Sequence, residues 1–350
     1  MTITEPAPEA VGIDERLVDA ATGALELFTI HLGTRLGLYR AVADGAGTAD
    51  ELAERAGIHP RYAREWLEQQ AVAQFLTITP GGRFALDPSV VGVFLDPTAP
   101  DHVSPLAGMV VGIGQALDEV EAAFRTGGGV PFARYGPYLR EGQGAINRPA
   151  FTTALVDEWL PASSRAAEAL ARGGRVADLG CGQGWSAAAV AQAFPGTDVV
   201  GIDSDPASVE DAKAAHAGIA NTRFVCAGAD AIAEDGPFDV VLILEALHDM
   251  SQPVEVLDAA RRGLAPDGVL IVADECVPDQ LTPGDDLERM MYGWSVVHCL
   301  PASMAEPGSA ALGTVLREST VRELAAAAGF GTVEVLDVDG GFFRIYELRP

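Results

Sequence analysis

The stretch Val176-Ala-Asp-Leu-Gly-Cys-Gly-Gln-Gly184, answered by an acid at Asp203, decides the fold. An apolar run ends in the alternate glycines Gly180, Gly182 and Gly184, and a helical run from Trp185 to Phe194 follows. Glycines so placed let the backbone turn tightly and approach a ligand with no Cβ in the way. A second apolar strand, Asp198-Val-Val-Gly-Ile-Asp203, ends on a carboxylate, where a nucleoside ribose would offer its hydroxyls. The glycines run G-x-G-x-G, not the G-x-G-x-x-G of a dinucleotide site, and Asp178 precedes the first by two residues. A dinucleotide site uses a helix N-terminus to hold an anionic pyrophosphate. An acid at the end of the first strand suits a cationic ligand better.

These residues resemble motif I of class I S-adenosylmethionine methyltransferases, whose ligand carries a sulfonium and an amino group. The resemblance implies S-adenosylmethionine as cofactor, held by Asp178, Gly180, Gly182, Gly184, Asp203, Ser204 and Glu245. Arg223-Phe-Val-Cys-Ala-Gly-Ala-Asp230 reads as a third strand ending in an acid. In the family that acid accepts from the adenine amino group, which would put Gly228, Asp230 and the Ala231 backbone at the adenine. The plainer reading makes Asp230 the N-cap of a helix from Ala231 to Glu234.

From Arg175 onward strands and helices alternate, the mark of a parallel sheet with helices on both faces. Strands are expected near 175–179, 198–202, 222–226, 238–244, 268–273, 332–338 and 342–348. The last two are close enough to pair antiparallel, as in methyltransferases of this class. The expected fold is therefore α/β: a seven-stranded, Rossmann-like class I methyltransferase sheet with an α-helical winged-helix domain before it.

Phe238-Asp-Val-Val-Leu-Ile-Leu244 is apolar enough to be buried on both faces. It delivers Glu245-Ala-Leu-His-Asp-Met250 at its carboxyl end, where open α/β sheets bind ligands. Methyl transfer from a sulfonium is an in-line displacement that needs the acceptor held about 3 Å away and often stripped of a proton. His248 is the natural base, because imidazole titrates near neutrality. His248-Asp249 stands where small-molecule O-methyltransferases carry a His-Asp pair. Asp274-Glu275 falls where that group places its base-supporting carboxylate, which implies catalytic roles for Asp249 and Glu275. The other reading has His248 merely line the pocket or cap a helix. Met250, where that group prefers Trp, and the charged Glu245 depart from its pattern.

Two segments read as substrate walls. Met290-Met-Tyr-Gly-Trp-Ser-Val-Val-His298 offers Met291 and Trp294 as an apolar box for a flat ring and His298 as a polar contact. Its spacing is equally that of an ordinary core helix, and His298 equally a core histidine. Between Tyr135 and Arg148, glycines and polar groups suggest a loop over the site, with Tyr135, Gln143, Asn147 and Arg148 toward the acceptor. Alternatively Asn147 caps a helix starting at Pro149. Tyr135-Gly136, Glu141-Gly-Gln-Gly144, Asn147-Arg-Pro149 and Glu158-Trp-Leu-Pro161 resemble stretches of bacterial winged-helix methyltransferases.

Ahead of these, apolar residues recur at helical spacing from Leu17 to Ala43, and residues 1–15 read as a loose arm. Thr48-Ala-Asp-Glu51 is a capping box, Gly57 a helix stop, and His59-Pro60 the start of a helix to about Gln74. Phe75–Thr79 and Arg83–Leu86 flank the turn Pro80-Gly-Gly82 as a hairpin, completing a winged helix. The chain is thus expected to divide into a winged-helix and dimerisation domain (1–100), a helical linker and substrate lid (101–165, with a loop at Thr126–Pro131) and the cofactor-binding domain (166–350).

A winged helix reads as DNA recognition or as a dimerisation and lid module. Residues 1–100 carry seven arginines against fourteen acids, and Arg61 and Arg64 are offset by Glu65 and Glu68. A helix without net positive charge is a poor major-groove reader. The net charge of −27 and pI near 4.4 point the same way, and Lys213 is the sole lysine. No nucleic-acid partner is expected. The rival readings are a regulator that uses the cofactor as a ligand and a same-fold enzyme that has lost methyl transfer. The four cysteines are scattered without a C-x-x-C pair, so neither a metal site nor a disulfide framework is expected, and free thiols suit a reduced cytoplasm. No apolar run reaches the length of a membrane span, and the N-terminus lacks the pattern of a secretory signal. The resemblance further implies a homodimer acting on a small, partly apolar acceptor, an aromatic or heteroaromatic metabolite methylated on O or C.

Overall fold

A computed structural model describes residues 12–350, so the arm expected over residues 1–15 lies outside the described residues as far as position 11. Its last residues are already helical, because α1 (Ile13–Arg35) begins at Ile13. The chain forms two compact units, divided between Val111 and Gly112.

In the first unit the helix expected over Leu17–Ala43 is two helices. Gly37, in the left-handed region at φ 67°, separates α1 from α2 (Leu38–Ala43). The capping box forms as read: Thr48 Oγ1 accepts from Glu51 N at the start of α3 (Ala49–Ala56), and Gly57 closes that helix in αL geometry. Pro60 opens α4 (Pro60–Val72), and β1 (Thr77–Ile78) pairs antiparallel with β2 (Phe84–Ala85) in a hairpin shorter than its apolar residues suggest. Short helix α5 (Val91–Leu95) follows. Tyr39 stacks on Phe94 at 4.1 Å and donates to Gln70 Oε1 at 2.5 Å, tying the helices around one core. The division between units falls within α6 (Leu106–Thr126).

The second unit opens on the rest of α6, which ends at Thr126 ahead of the loop expected up to Pro131, and then departs from expectation. A 3-10 turn over Phe132–Tyr135 leads into α7 (Gly136–Pro149), a π-helical run over Ala150–Trp159, α8 (Leu160–Ala162) and α9 (Ser164–Ala171). Tyr135–Arg148 is therefore helical, and Pro149 lies inside a helix rather than starting one. Alternating elements follow: β3 (Arg175–Leu179), α10 (Trp185–Ala193), β4 (Asp198–Asp203), α11 (Pro206–Ala215), β5 (Thr222–Cys226), α12 (Ala231–Asp235), β6 (Phe238–Leu244) and α13 (Pro253–Gly263). Strand β7 (Leu264–Glu275) starts earlier than its apolar run, paired at Phe238 before a register shift. After α14 (Asp286–Trp294), a π-helical turn (Ser295–Cys299), α15 (Leu300–Ser303) and α16 (Glu318–Ala327), the chain closes with β8 (Thr332–Val335) and β9 (Phe343–Arg349).

The seven strands run in the order β5-β4-β3-β6-β7-β9-β8, parallel except β9, which is antiparallel to both neighbours. Apolar residues of β3, β4, β6 and β7 fill cores on both faces. The order reverses between β3 and β6, and ligands settle at the carboxyl ends of the strands flanking such a point.

Candidate active site

A cleft of about 590 Å³ opens at that reversal. Leu179–Gln183, the end of β4, residues 227–230 after β5 and Leu244–Ala246 wall it, with Gln143, Gly144 and Asn147 contributed by α7.

One half is built by the glycine turn. Asp203, at the end of β4, accepts Gly182 N on Oδ2 and Asp205 N on Oδ1, both at 2.8 Å, and burial raises its carboxyl above the usual range. Gly182, at φ 51°, has open space where a Cβ would stand, so its backbone fronts the cleft bare. Gly184 is confined instead: a Cβ there would meet the Phe224 ring at 2.4 Å. Ser204, Gly228 and Asp230 line the cleft as read. Asp230 makes no side-chain capping bond to α12 and its side chain is 92% exposed, which overturns the N-cap alternative. Ala231 does not line the cleft.

Asp178 lies beneath the turn. It is buried, accepts from Ser186 Oγ and does not reach the cleft wall, and burial pushes its carboxyl up to about 7. Its placement makes it a brace that locks α10 onto the glycine turn.

The other half centres on residues after β6. Glu245 lines the cleft, half-buried, with φ at +49°, a left-handed conformation rare for a side chain of its length. It accepts from Asn147 Nδ2 on α7, so Asn147 is a partner of Glu245 rather than a helix cap. Burial, reinforced by Asp249 and Asp274 and opposed by His248, moves the Glu245 carboxyl up to about 8.

His248 follows on a 3-10 turn (Leu247–Asp249), buried to 1%. Its Nδ1 stands 2.8 Å from Asp274 Oδ1, with Glu275 Oε2 at 3.5 Å; Nε2 stands 3.5 Å from Asp249 Oδ1. Of the two acids at the end of β7, Asp274 is thus the one bonded to the imidazole, and Glu275 sits behind it. Burial opposes charge on His248, but Glu275, Asp274 and Asp249 outweigh it and hold the imidazole well above its ordinary pKa. The imidazolium in turn keeps the Asp274 carboxylate low against its own burial. Burial drives the Glu275 carboxyl upward, opposed by the neighbouring imidazole. His248 itself is absent from the cleft wall, whereas Asp249 and Met250 belong to it. The His248–Asp274 pair lies just beneath the cleft wall.

Several residues read as substrate contacts stand away from the cleft. Tyr135 is fully buried, with its hydroxyl donating to Val297 O at 3.0 Å. Arg148 on α7 holds its guanidinium 4.0 Å over the Trp185 ring and does not itself line the cleft. Met291 is buried on α14, neither it nor the half-buried Trp294 lines the cleft, and His298 is a core histidine packed edge-on against Tyr135 at 4.6 Å. The helical spacing of that segment reports packing, not a ligand box. Phe132, Gln183 and Ser303 line the cleft without a sequence signal that singles them out. The Gly-Gln-Gly run did carry one: a Cβ on Gly144 would come within 2.0 Å of Gln183 Oε1, so a larger residue there would push the Gln183 side chain aside.

Comparison with known proteins agrees with this geometry. A family model described as a methyltransferase domain matches residues 170–319, and one described as an Rv2258c-like winged HTH domain matches residues 23–83. The chain is 32% identical over 183 residues to a trans-aconitate 2-methyltransferase of Methylobacterium radiotolerans, covering 51% of this chain and 67% of that protein. It is 27% identical over 294 residues to the O-demethylpuromycin-O-methyltransferase of Streptomyces alboniger, covering 79% and 76%. Human N-acetylserotonin methyltransferase, solved in complex with SAM, superposes with a TM-score of 0.71 at 17% identity over 98% of this chain and 99% of that one.

Proposed function

The chain belongs to the class I S-adenosylmethionine-dependent methyltransferases, and from that premise we propose that it methylates a hydroxyl of a small aromatic or heteroaromatic metabolite, with His248 as the base. When bound, S-adenosylmethionine supplies an electrophilic methyl group on a sulfonium. The residues present fit it: the bare Gly182 backbone, the Asp203 carboxylate and the open edge at Gly228 and Asp230 lie along one side of the cleft. Asp203 would take the ribose hydroxyls and Asp230 the adenine amino group. Phe132, Phe151 and Met250 offer the acceptor an apolar wall.

The observation that carries the base assignment is the 2.8 Å contact between His248 Nδ1 and Asp274. It fixes which ring nitrogen is engaged and leaves Nε2 to receive the acceptor's proton. Asp249, on the cleft wall 3.5 Å from Nε2, links that nitrogen to the cleft. O-methylation is favoured over C-methylation by the O-methyltransferase of Streptomyces alboniger, whose alignment spans both units.

Labelled methyl transfer to a panel of phenols, indoles, catechols and carboxylic acids, read by product mass, tests the reaction. Phenol or catechol products are expected; products of carboxylic acids alone would overturn the hydroxyl assignment. His248→Ala should slow turnover by about 10²–10⁴ with cofactor affinity retained. Asp203→Ala should weaken cofactor binding measured by calorimetry, and an unaltered affinity would remove it from the ribose.

Self-association belongs to the same reading. Ile13, Leu17, Leu25, Phe28, Leu32 and Leu36 recur along one side of α1 and are all exposed. Such an apolar stripe supports a homodimer formed through the first unit.

A further inference from the structure

The 3-10 turn after β6 and the π-helical turn after α14 meet in a cluster that the sequence scatters. His248, Asp249 and Cys299 can present one ligand atom each within 4.8 Å of one another, and His248 Nε2 stands 3.5 Å from Asp249 Oδ1. Asp274 occupies His248 Nδ1, so Nε2 is the nitrogen left to the cluster. The His248 and Cys299 side chains are buried, while Asp249 is partly exposed on the cleft wall. Asp249 Oδ1 is buried with no hydrogen-bond partner in this structure. Behind the sulfur, His298 Nδ1 stands 3.4 Å from Cys299 Sγ.

We propose that His248, Asp249 and Cys299 form a binding site for a soft divalent cation, zinc being the type, with its open position toward the cleft. Imidazole nitrogen, thiolate sulfur and a carboxylate oxygen are the donor set such an ion selects. With metal–ligand bonds of about 2.0–2.3 Å, tetrahedral ligands lie roughly 3.3–3.7 Å apart, so the cluster closes on an ion by side-chain shifts of about 1 Å. A carboxylate on the far nitrogen of the histidine, here Asp274, is the outer contact that orients a metal-binding imidazole. Binding displaces the thiol proton of Cys299 and the Nε2 proton of His248, and both pass to water through the cleft. Three protein ligands leave one position for water or acceptor oxygen. If His248 is the base, as proposed above, occupancy removes Nε2 from proton transfer and the ion inhibits.

The test is titration of the full-length protein with Co(II), read as thiolate-to-cobalt charge-transfer absorption, with Zn(II) competition for affinity. One equivalent is expected, with the band absent in Cys299→Ser and kept in Cys226→Ser, which alters an exposed cysteine on β5, separated from β6 by two strands of the sheet. Asp274→Asn should weaken the affinity about 10–100-fold. Retained cofactor binding shows each variant folded, and Asp249→Asn, which keeps the side-chain shape, should weaken cobalt binding independently. No stoichiometric uptake, a band that survives Cys299→Ser, or one lost in Cys226→Ser overturns the site. Stoichiometric uptake with turnover undiminished upholds the site and overturns His248 as base, so the two readings fail separately.

Discussion

Asp274 lifts the affinity of His248 for its proton, and a base so loaded works only once that proton leaves. The rate should therefore rise with pH above neutrality. Asp274→Asn removes the anion that stabilises the imidazolium, so the rising limb of the pH–rate profile should move to lower pH, with a lower plateau. A limb that stays in place would detach the pair from catalysis. Glu245 answers to pH in another way. Its carboxyl titrates at about 8 folded and in the ordinary carboxyl range unfolded. A raised folded pKa gives stability that is complete below the unfolded pKa and lost as pH rises to the folded one. Denaturant unfolding should thus show stability falling between about pH 4.5 and 8, less steeply in Glu245→Gln. An equal slope in the variant would mean that Glu245 is ionised in the folded protein.

The glycine turn works as an element because each glycine has a different reason to be one. Gly184 combines φ 76° with a Cβ position 2.4 Å from the Phe224 ring, and that ring is held between His216 and the sheet. Gly184→Ala meets a left-handed penalty of about 1–2 kcal/mol and overpacking of about 1–3 kcal/mol. Urea unfolding should show a loss of at least about 2 kcal/mol, with weaker cofactor binding because α10 starts there. A loss below about 0.5 kcal/mol would mean that Phe224 moves aside freely. At this scale the sheet strands were legible from apolar runs bounded by glycines and acids, since a buried parallel strand has few other ways to be written. The segment over Tyr135–Arg148 was not. Its glycines pointed to a loop, yet Gly144 sits inside α7 against the Gln183 side chain, and close packing accounts for it.

For the molecule as a whole, the exposed stripe of α1 is an apolar face that the described chain does not itself cover. Sedimentation of the wild type should give a dimer, and Leu25→Asp with Phe28→Asp a monomer whose cofactor binding persists. A monomeric wild type at micromolar concentration would remove this face as an interface. In the winged helix, Arg61 on α4 is paired with Glu65 one turn on, so that charge is offset locally. No described helix is long and apolar enough to cross a membrane.

The order of elements, the glycine turn, the acid at Asp203 and the delivery of His248 at the end of a buried strand were all determined by local sequence. Each is a matter of periodicity or of one residue's backbone freedom, which neighbours along the chain suffice to express. Which acid touches His248, whether Asp178 faces ligand or core, and whether Met291 and Trp294 form a wall were decided only by tertiary structure. The same holds for Cys299, 51 positions from His248 in the chain and its neighbour in space. A helical spacing reads the same whether its face meets a ligand or a core, and two residues far apart in sequence carry no record of their distance. Only the packing of α7, α14 and the sheet supplies that record.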